Sequence, residues 1–255
     1  MAVLRVGQWA AEIDDNLLQL AASCCYLDRF RIGESAPAAL LRVRQVDSLP
    51  ASAATALDGL SADAGSYAVE GNTILVRVPP SPASAEASLR AVFQVATLRQ
   101  GGLLVHGSGV AFDGKALIAI GESGAGKSTL ARLCVAAGGC LLSDETIGLY
   151  PDGTARGSPF FSDPDMASEL DRSLLAAIVI LEKGGGEQIA GVGAAEATAA
   201  ILSQAYRPPA GQSSQAELLS RATALALKPG IHRLTFRKDA AAGAFVKRWI
   251  LGSSA

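Results

Sequence analysis

Apolar residues recur along this chain at two spacings, and the changes of spacing divide it into elements. ALLRVRQV (Ala39 to Val46) and NTILVRVP (Asn72 to Pro79) are β-branched or alternate apolar with polar, which predicts strands. SPASA, residues 81–85, then supplies a proline and candidate N-cap serines. The run that follows, AEASLRAVFQVATLRQGG, places Leu89, Val92, Phe93, Ala96 and Leu98 at helical spacing before paired glycines, so a helix is expected to end near Gln100. LLVHGSGVAF and KALIAIG are two apolar runs joined by Asp113-Gly114, a pair strongly favoured in tight hairpins. STLARLCVAAGG has helical composition with a stop at Gly138 and Gly139, and CLLSDETIGLY reads as a buried strand ending at a pair of acids.

Beyond residue 150 the pattern predicts a DGTA turn, a surface loop over RGSPFFSDPD, a strand in LLAAIVILEK and a helix in GAAEATAAILSQAY. HRLTFRK then reads as a strand and AFVKRWIL as a short closing segment. RPPAGQSSQ, residues 207–215, is rich in Pro, Gly and polar residues and is expected to be a mobile loop. GGGEQ, residues 184–188, reads as a turn. There is no internal repeat. Strands alternating with helices make the fold class α/β, divided into a β-rich N-terminal segment, 1–82, packed on a larger domain, 83–255.

Within this alternation GESGAGKST, Gly121 to Thr129, satisfies G-x-x-x-x-G-K-[ST] and stands where that motif needs to stand, between an apolar strand and a helix. Glycines let successive backbone N–H groups turn toward phosphate oxygens, and the helix N-terminus adds partial positive charge. The nucleotide-binding set is therefore Gly121, Glu122, Ser123, Gly124, Ala125, Gly126, Lys127, Ser128 and Thr129. Lys127 brings a full charge to the β- and γ-phosphates, and the Ser128 hydroxyl is a ligand for Mg²⁺. The implied cofactors are ATP and Mg²⁺.

Asp144 and Glu145 come on the strand reached directly from the helix after this loop, without the long insertion usual in transporter-type and motor ATPases. One carboxylate can coordinate Mg²⁺ while the other accepts the proton of an attacking hydroxyl, so both stand as metal candidates beside Ser128. His106 ends the strand LLVH before the hairpin and is a candidate of a weaker kind, since a lone histidine beside an apolar strand is commonly structural.

Taken together, His106-Gly107, the hairpin, GESGAGKST and LLSDE resemble the catalytic domain of the bacterial HPr kinase/phosphorylase family, over about 45 residues from Leu103 to Tyr150. The resemblance implies a phosphoenolpyruvate-carboxykinase-like P-loop kinase domain, ATP as donor, and a serine hydroxyl of a protein or peptide as acceptor. It also implies catalytic roles for Asp144 as base, His106 as its hydrogen-bonding partner and Lys127 on the phosphates. Where the family shows paired aspartates this chain has Asp144 and Glu145, and the family's downstream arginine segment, associated with reverse phosphorolysis, is not recognisable. The short N-terminal part resembles compact relatives that modify peptides, among them kinases of lasso-peptide precursor serines. Arg156 and Arg207 are candidates for contact with the acceptor or the γ-phosphate. Family members form oligomers, so a homo-oligomer is compatible with the resemblance, but no interface is legible. A small-molecule acceptor such as free serine, or a slowly hydrolysing regulatory module, remains open.

Composition narrows the partners. A formal charge of −2 leaves no general excess of positive charge for a nucleic-acid backbone. Although 49% of residues are hydrophobic, alanine inflates the figure, and no run is long enough to span a membrane. MAVLRVGQWAAEIDD lacks a basic n-region followed by an apolar run, so export is not expected and the location is read as cytoplasmic. Cys24, Cys25, Cys134 and Cys140 form no C-x-x-C pair, and with two histidines they cannot build a zinc spacing; they are expected to be reduced thiols.

Overall fold

A computed structural model describes residues 2–32, 40–57, 65–163, 165–166, 168, 171–209, 211–228 and 230–252. It divides the chain into two compact units, one made of residues 1–100 and 207–214, the other of 101–206 and 215–255.

In the first unit, among the described residues, seven strands form a mixed sheet in the order β3-β1-β2-β4-β7-β6-β5. β1 (Ala2–Val6) and β2 (Trp9–Ile13) make an antiparallel hairpin, followed by helix α1 (Asp15–Ala21), whose first turn is capped by the Asp14 carboxylate accepting from the Asn16 amide at 2.8 Å. β3 (Arg31–Ile32) pairs with β1, β4 (Leu40–Gln45) runs parallel to both β2 and β7, and β5 (Thr55–Ala56), β6 (Ser66–Glu70) and β7 (Thr73–Arg77) complete the sheet. Helix α2 (Pro82–Arg99) starts at Ser81, whose hydroxyl accepts from the Ser84 amide, and packs against α1, β1 and β4.

That packing moves the boundary expected at residue 82. α2 is buried along most of its length, including Ala85, Leu89, Val92, Phe93 and Ala96, and Phe93 meets Phe30 edge-to-face at 5.8 Å, so the helix is part of the first unit's core. The 207–215 segment is likewise anchored: the Gln94 amide donates to the Arg207 carbonyl and Arg99 to Gln212.

In the second unit, among the described residues, nine strands form a mixed sheet. Its main path runs β11-β9-β10-β14-β13-β12-β8, with β16 on β14 and β15 on β16. β8 (Leu103–His106), β9 (Ser108–Phe112) and β10 (Lys115–Ile120) open the unit. The expected hairpin joins β9 to β10 through Asp113 (φ 48°) and Gly114 (φ 77°), the two positive dihedrals of a type I′ turn. Helix α3 (Lys127–Ala136) follows the glycine-rich loop and leads to β11 (Cys140–Ser143), β12 (Thr146–Leu149), β13 (Thr154–Arg156) and the long β14 (Arg172–Lys183). β15 (Gln188–Gly191), α4 (Ala194–Gln204), α5 (Gln215–Leu227), β16 (Ile231–Phe236) and α6 (Ala240–Gly252) complete it.

β14 joins the layers. It runs parallel to β10 on one edge, while its other edge is taken first by β13 and then by β16. α3 and α6 cover one side of the sheet, where Val110, Leu117, Ala119, Leu130, Cys134, Val179, Leu234 and Val246 belong to one apolar cluster. Ile118 and Ile120, the alternate residues of β10, point to the other side. None of the four cysteines is in a disulfide, and burial raises the Cys134 thiol to about 12.

Three further expectations change. The strand in CLLSDETIGLY ends at the acids as expected, with β11 stopping at Ser143, but the residues beyond them form a second strand, β12. The supposed surface loop 156–165 is buried from Arg156 to Phe160. AFVKRWIL lies inside α6, whose buried Ala242, Val246 and Ile250 recur at helical spacing.

Candidate functional site

The glycine-rich loop connects β10, the inner partner of the hairpin, to α3, and its end is shaped by Gly126 at φ 105°. A side chain there would face the left-handed penalty and meet the Phe236 ring at 3.3 Å, so only glycine fits. Lys127, the first residue of α3, is buried and turns back along the loop: its Nζ donates to the carbonyls of Gly121 (2.8 Å) and Glu122 (3.1 Å). Desolvation lowers its pKa, partly opposed by the negative charge of Glu145. The Ser108 hydroxyl donates to the Lys127 carbonyl at 3.0 Å, tying the helix start to β9.

Asp144 and Glu145 occupy the corner where the chain leaves β11 for β12. Ser143 makes that corner: its hydroxyl oxygen accepts from the amides of both Glu145 and Thr146 at 3.2 Å, a side-chain turn of the kind serine favours. β12 then pairs with β8 in a register that sets Thr146 opposite His106, and the Gly107 amide donates to the Glu145 carbonyl at 3.0 Å. This register brings the Glu145 carboxylate to 3.6 Å from His106 Nδ1. The acid recorded against His106 is therefore Glu145, where the family resemblance implied Asp144.

Asp144 is 2% exposed, and its burial raises its pKa; hydrogen bonds from Ser162 and the charge of Arg132 act in the opposite direction. Ser162 engages both carboxylate oxygens, its amide donating to Oδ1 at 3.1 Å and its hydroxyl to Oδ2 at 2.7 Å. The same hydroxyl lies 3.2 Å from Ser128 Oγ. An oxygen-only chain thus runs from Ser128 through Ser162 to Asp144.

These groups line one cavity of about 390 Å³. Ser123, Gly124, Gly126, Lys127, Ser128 and Thr129 face it from the loop and helix start, and His106, Asp144 and Glu145 from the strand ends. Gly121, Glu122 and Ala125 instead line a neighbouring cavity of about 680 Å³, bounded by the C-terminal end of β14 and by Ser203 and Gln204 of α4; Ser123 and Gly124 border both. The sequence-derived set is therefore split between two adjoining spaces.

Two residues of the smaller cavity were missed. Ser162 had no motif to mark it, and Lys238 follows β16 at the far end of the chain, where only the fold brings it to the loop. Arg156 is not among the residues lining this cavity: it is buried with its guanidinium 5.2 Å from the centre of the Tyr150 ring. Arg207 belongs to the first unit.

No protein-family model and no curated protein matches the chain. Among solved structures it is similar to the Hpr(Ser) kinase/phosphatase from Coxiella burnetii, at 11% identity and a TM-score of 0.31, covering 58% of this chain and 88% of that one. An overlap this loose transfers no residue's role.

The donor set can be weighed directly. Ser128, Ser162 and Asp144 offer oxygens only, which suits a hard divalent cation. Among the described residues no group of three or more His, Cys, Asp and Glu side chains forms a metal cage, so a cation here would take further ligands from phosphate oxygens or water. No helix among the described residues is long and apolar enough to cross a membrane.

Proposed function

We propose that the chain is an ATP-dependent kinase that transfers the γ-phosphoryl group to a serine hydroxyl of a protein or peptide. The observation that carries this reading is that a buried carboxylate, Asp144, lines the same cavity as Lys127 and Ser128 and already accepts a hydroxyl hydrogen bond there. A nucleotide-binding loop alone is common to switches, pumps and kinases; a carboxylate opposite it with space for an alcohol is what phosphoryl transfer to a hydroxyl needs.

In this mechanism the loop amides and Lys127 hold the phosphates, and the larger neighbouring cavity takes the nucleoside. Ser128 and Glu145, which line the same cavity, would hold Mg²⁺, which supplies charge neutralisation on the transferring group. Asp144 accepts the proton of the attacking hydroxyl. His106 orients Glu145, and Lys238 adds positive charge to the cavity wall. Positioning and charge stabilisation carry most of the rate.

The test is incubation with Mg²⁺ and γ-labelled ATP, in parallel with a serine-containing precursor peptide, an HPr-like protein and free serine. Label on serine of a macromolecular acceptor is expected. Label on free serine alone would make the protein a small-molecule kinase, and label only as inorganic phosphate would make it a regulatory nucleotide hydrolase; either result overturns the proposal.

A further inference from the structure

We infer that Ser162 is itself a phosphoryl acceptor, so that the chain modifies its own cavity; this rests on the kinase reading above. The Ser162 hydroxyl donates to Asp144 Oδ2 at 2.7 Å, the bond an incoming alcohol must make before losing its proton to that carboxylate. Its backbone amide holds the other carboxylate oxygen, fixing the residue on the base at two points. The same hydroxyl stands 3.2 Å from Ser128 Oγ and lines the cavity that contains Lys127. Ser162 is exposed while Asp144 beneath it is buried.

The segment is held in place from both sides. Ser143 Oγ donates to the Phe160 carbonyl at 3.1 Å, and Asp163 forms an ion pair with Arg132 of α3. Ser162 is thus presented by two anchors that lie on elements framing the site, β11 and the helix that follows the loop. A serine that merely satisfied a buried carboxylate would not need to share the cavity of Lys127 and approach Ser128 as well.

In the step, Ser162 Oγ forms a bond to the γ-phosphorus of the nucleoside triphosphate while the bond from that phosphorus to the β,γ-bridging oxygen breaks. The bridging oxygen keeps the electron pair and leaves with the nucleoside diphosphate, and the Ser162 proton passes to Asp144 Oδ2. The product puts a phosphate dianion against a carboxylate, an arrangement that repels further anionic ligands.

The full chain is incubated with Mg²⁺ and ATP, without and with an external serine peptide, and its intact mass and proteolytic peptides are measured. One phosphoryl group on the peptide containing Ser162 is expected, forming at a rate per molecule that does not change with protein concentration. Ser162→Ala should lose this adduct, Ser162→Thr should keep it as phosphothreonine, and Lys127→Ala should lack it. An adduct on another residue, a rate that grows with protein concentration, or an unmodified chain that still labels the external peptide overturns the inference and leaves the kinase reading standing. A chain that labels neither itself nor any acceptor overturns both.

Discussion

Lys127 Nζ donates to the Gly121 carbonyl at 2.8 Å, closing the glycine-rich loop across its own base. On the proposed kinase reading, phosphates entering the loop would compete for that ammonium. Lys127→Ala should weaken nucleotide binding by roughly 10- to 100-fold, as expected when a charge-assisted contact of about 1.5–3 kcal/mol is lost. It also leaves two loop carbonyls without their donor, so a modest fall in Tm should accompany the loss. Titration calorimetry and a thermal melt read the two effects separately. Because desolvation lowers the Lys127 pKa, its contribution to binding should fade at lower pH than an exposed lysine's would as the solution is made alkaline.

Asp144→Asn should leave nucleotide binding intact and reduce transfer by about 10²- to 10⁴-fold, the usual range for loss of a positioned base. In the nucleotide-free protein burial raises the pKa of Asp144. The stability sign follows from the same shift. The native state holds the proton to higher pH than the unfolded chain, so stability falls as pH rises between the two pKa values, and the full penalty stands above both. The uncharged asparagine should abolish this pH dependence, which thermal melts across pH measure.

His106 and Glu145 should act as one unit. The 3.6 Å separation and the β8–β12 register join them, so His106→Gln and Glu145→Gln should each slow transfer while the double variant is no worse than the more damaging single one. A double-mutant cycle on kcat/KM measures this; additive losses would show independent roles.

Gly243→Ala should destabilise the second unit by about 1–3 kcal/mol or more, as overpacking does. A Cβ at this position would lie 2.0 Å from the Leu133 carbonyl oxygen, where α6 lies against α3. Chemical denaturation should show a lower midpoint.

What the sequence made legible were features set by local rules. The hairpin through Asp113-Gly114, the loop and its helix, and the strand in β14 follow from turn chemistry, a phosphate-binding motif and an uninterrupted apolar run. The end of β11 at the acids was legible, but the new strand β12 beyond them was not; that corner depends on the Ser143 hydroxyl capturing two amides. α2 was readable as a helix, yet its allegiance was not, since periodicity shows that a face is buried and not what buries it. In the site, motif and strand-end acids were visible. Ser162 and Lys238 reach the cavity only through long-range folding, and the partner of His106 was decided by strand register.

The eight residues 207–214 group with the first hundred although the chain on either side of them belongs to the other unit. The polypeptide therefore passes between units three times, and neither is a continuous segment. Cutting the gene after codon 100 would deprive the N-terminal fragment of its Arg207 and Gln212 partners and strand that ribbon on the remainder. A clean dissection would instead replace 207–214 in the larger fragment with a short flexible bridge.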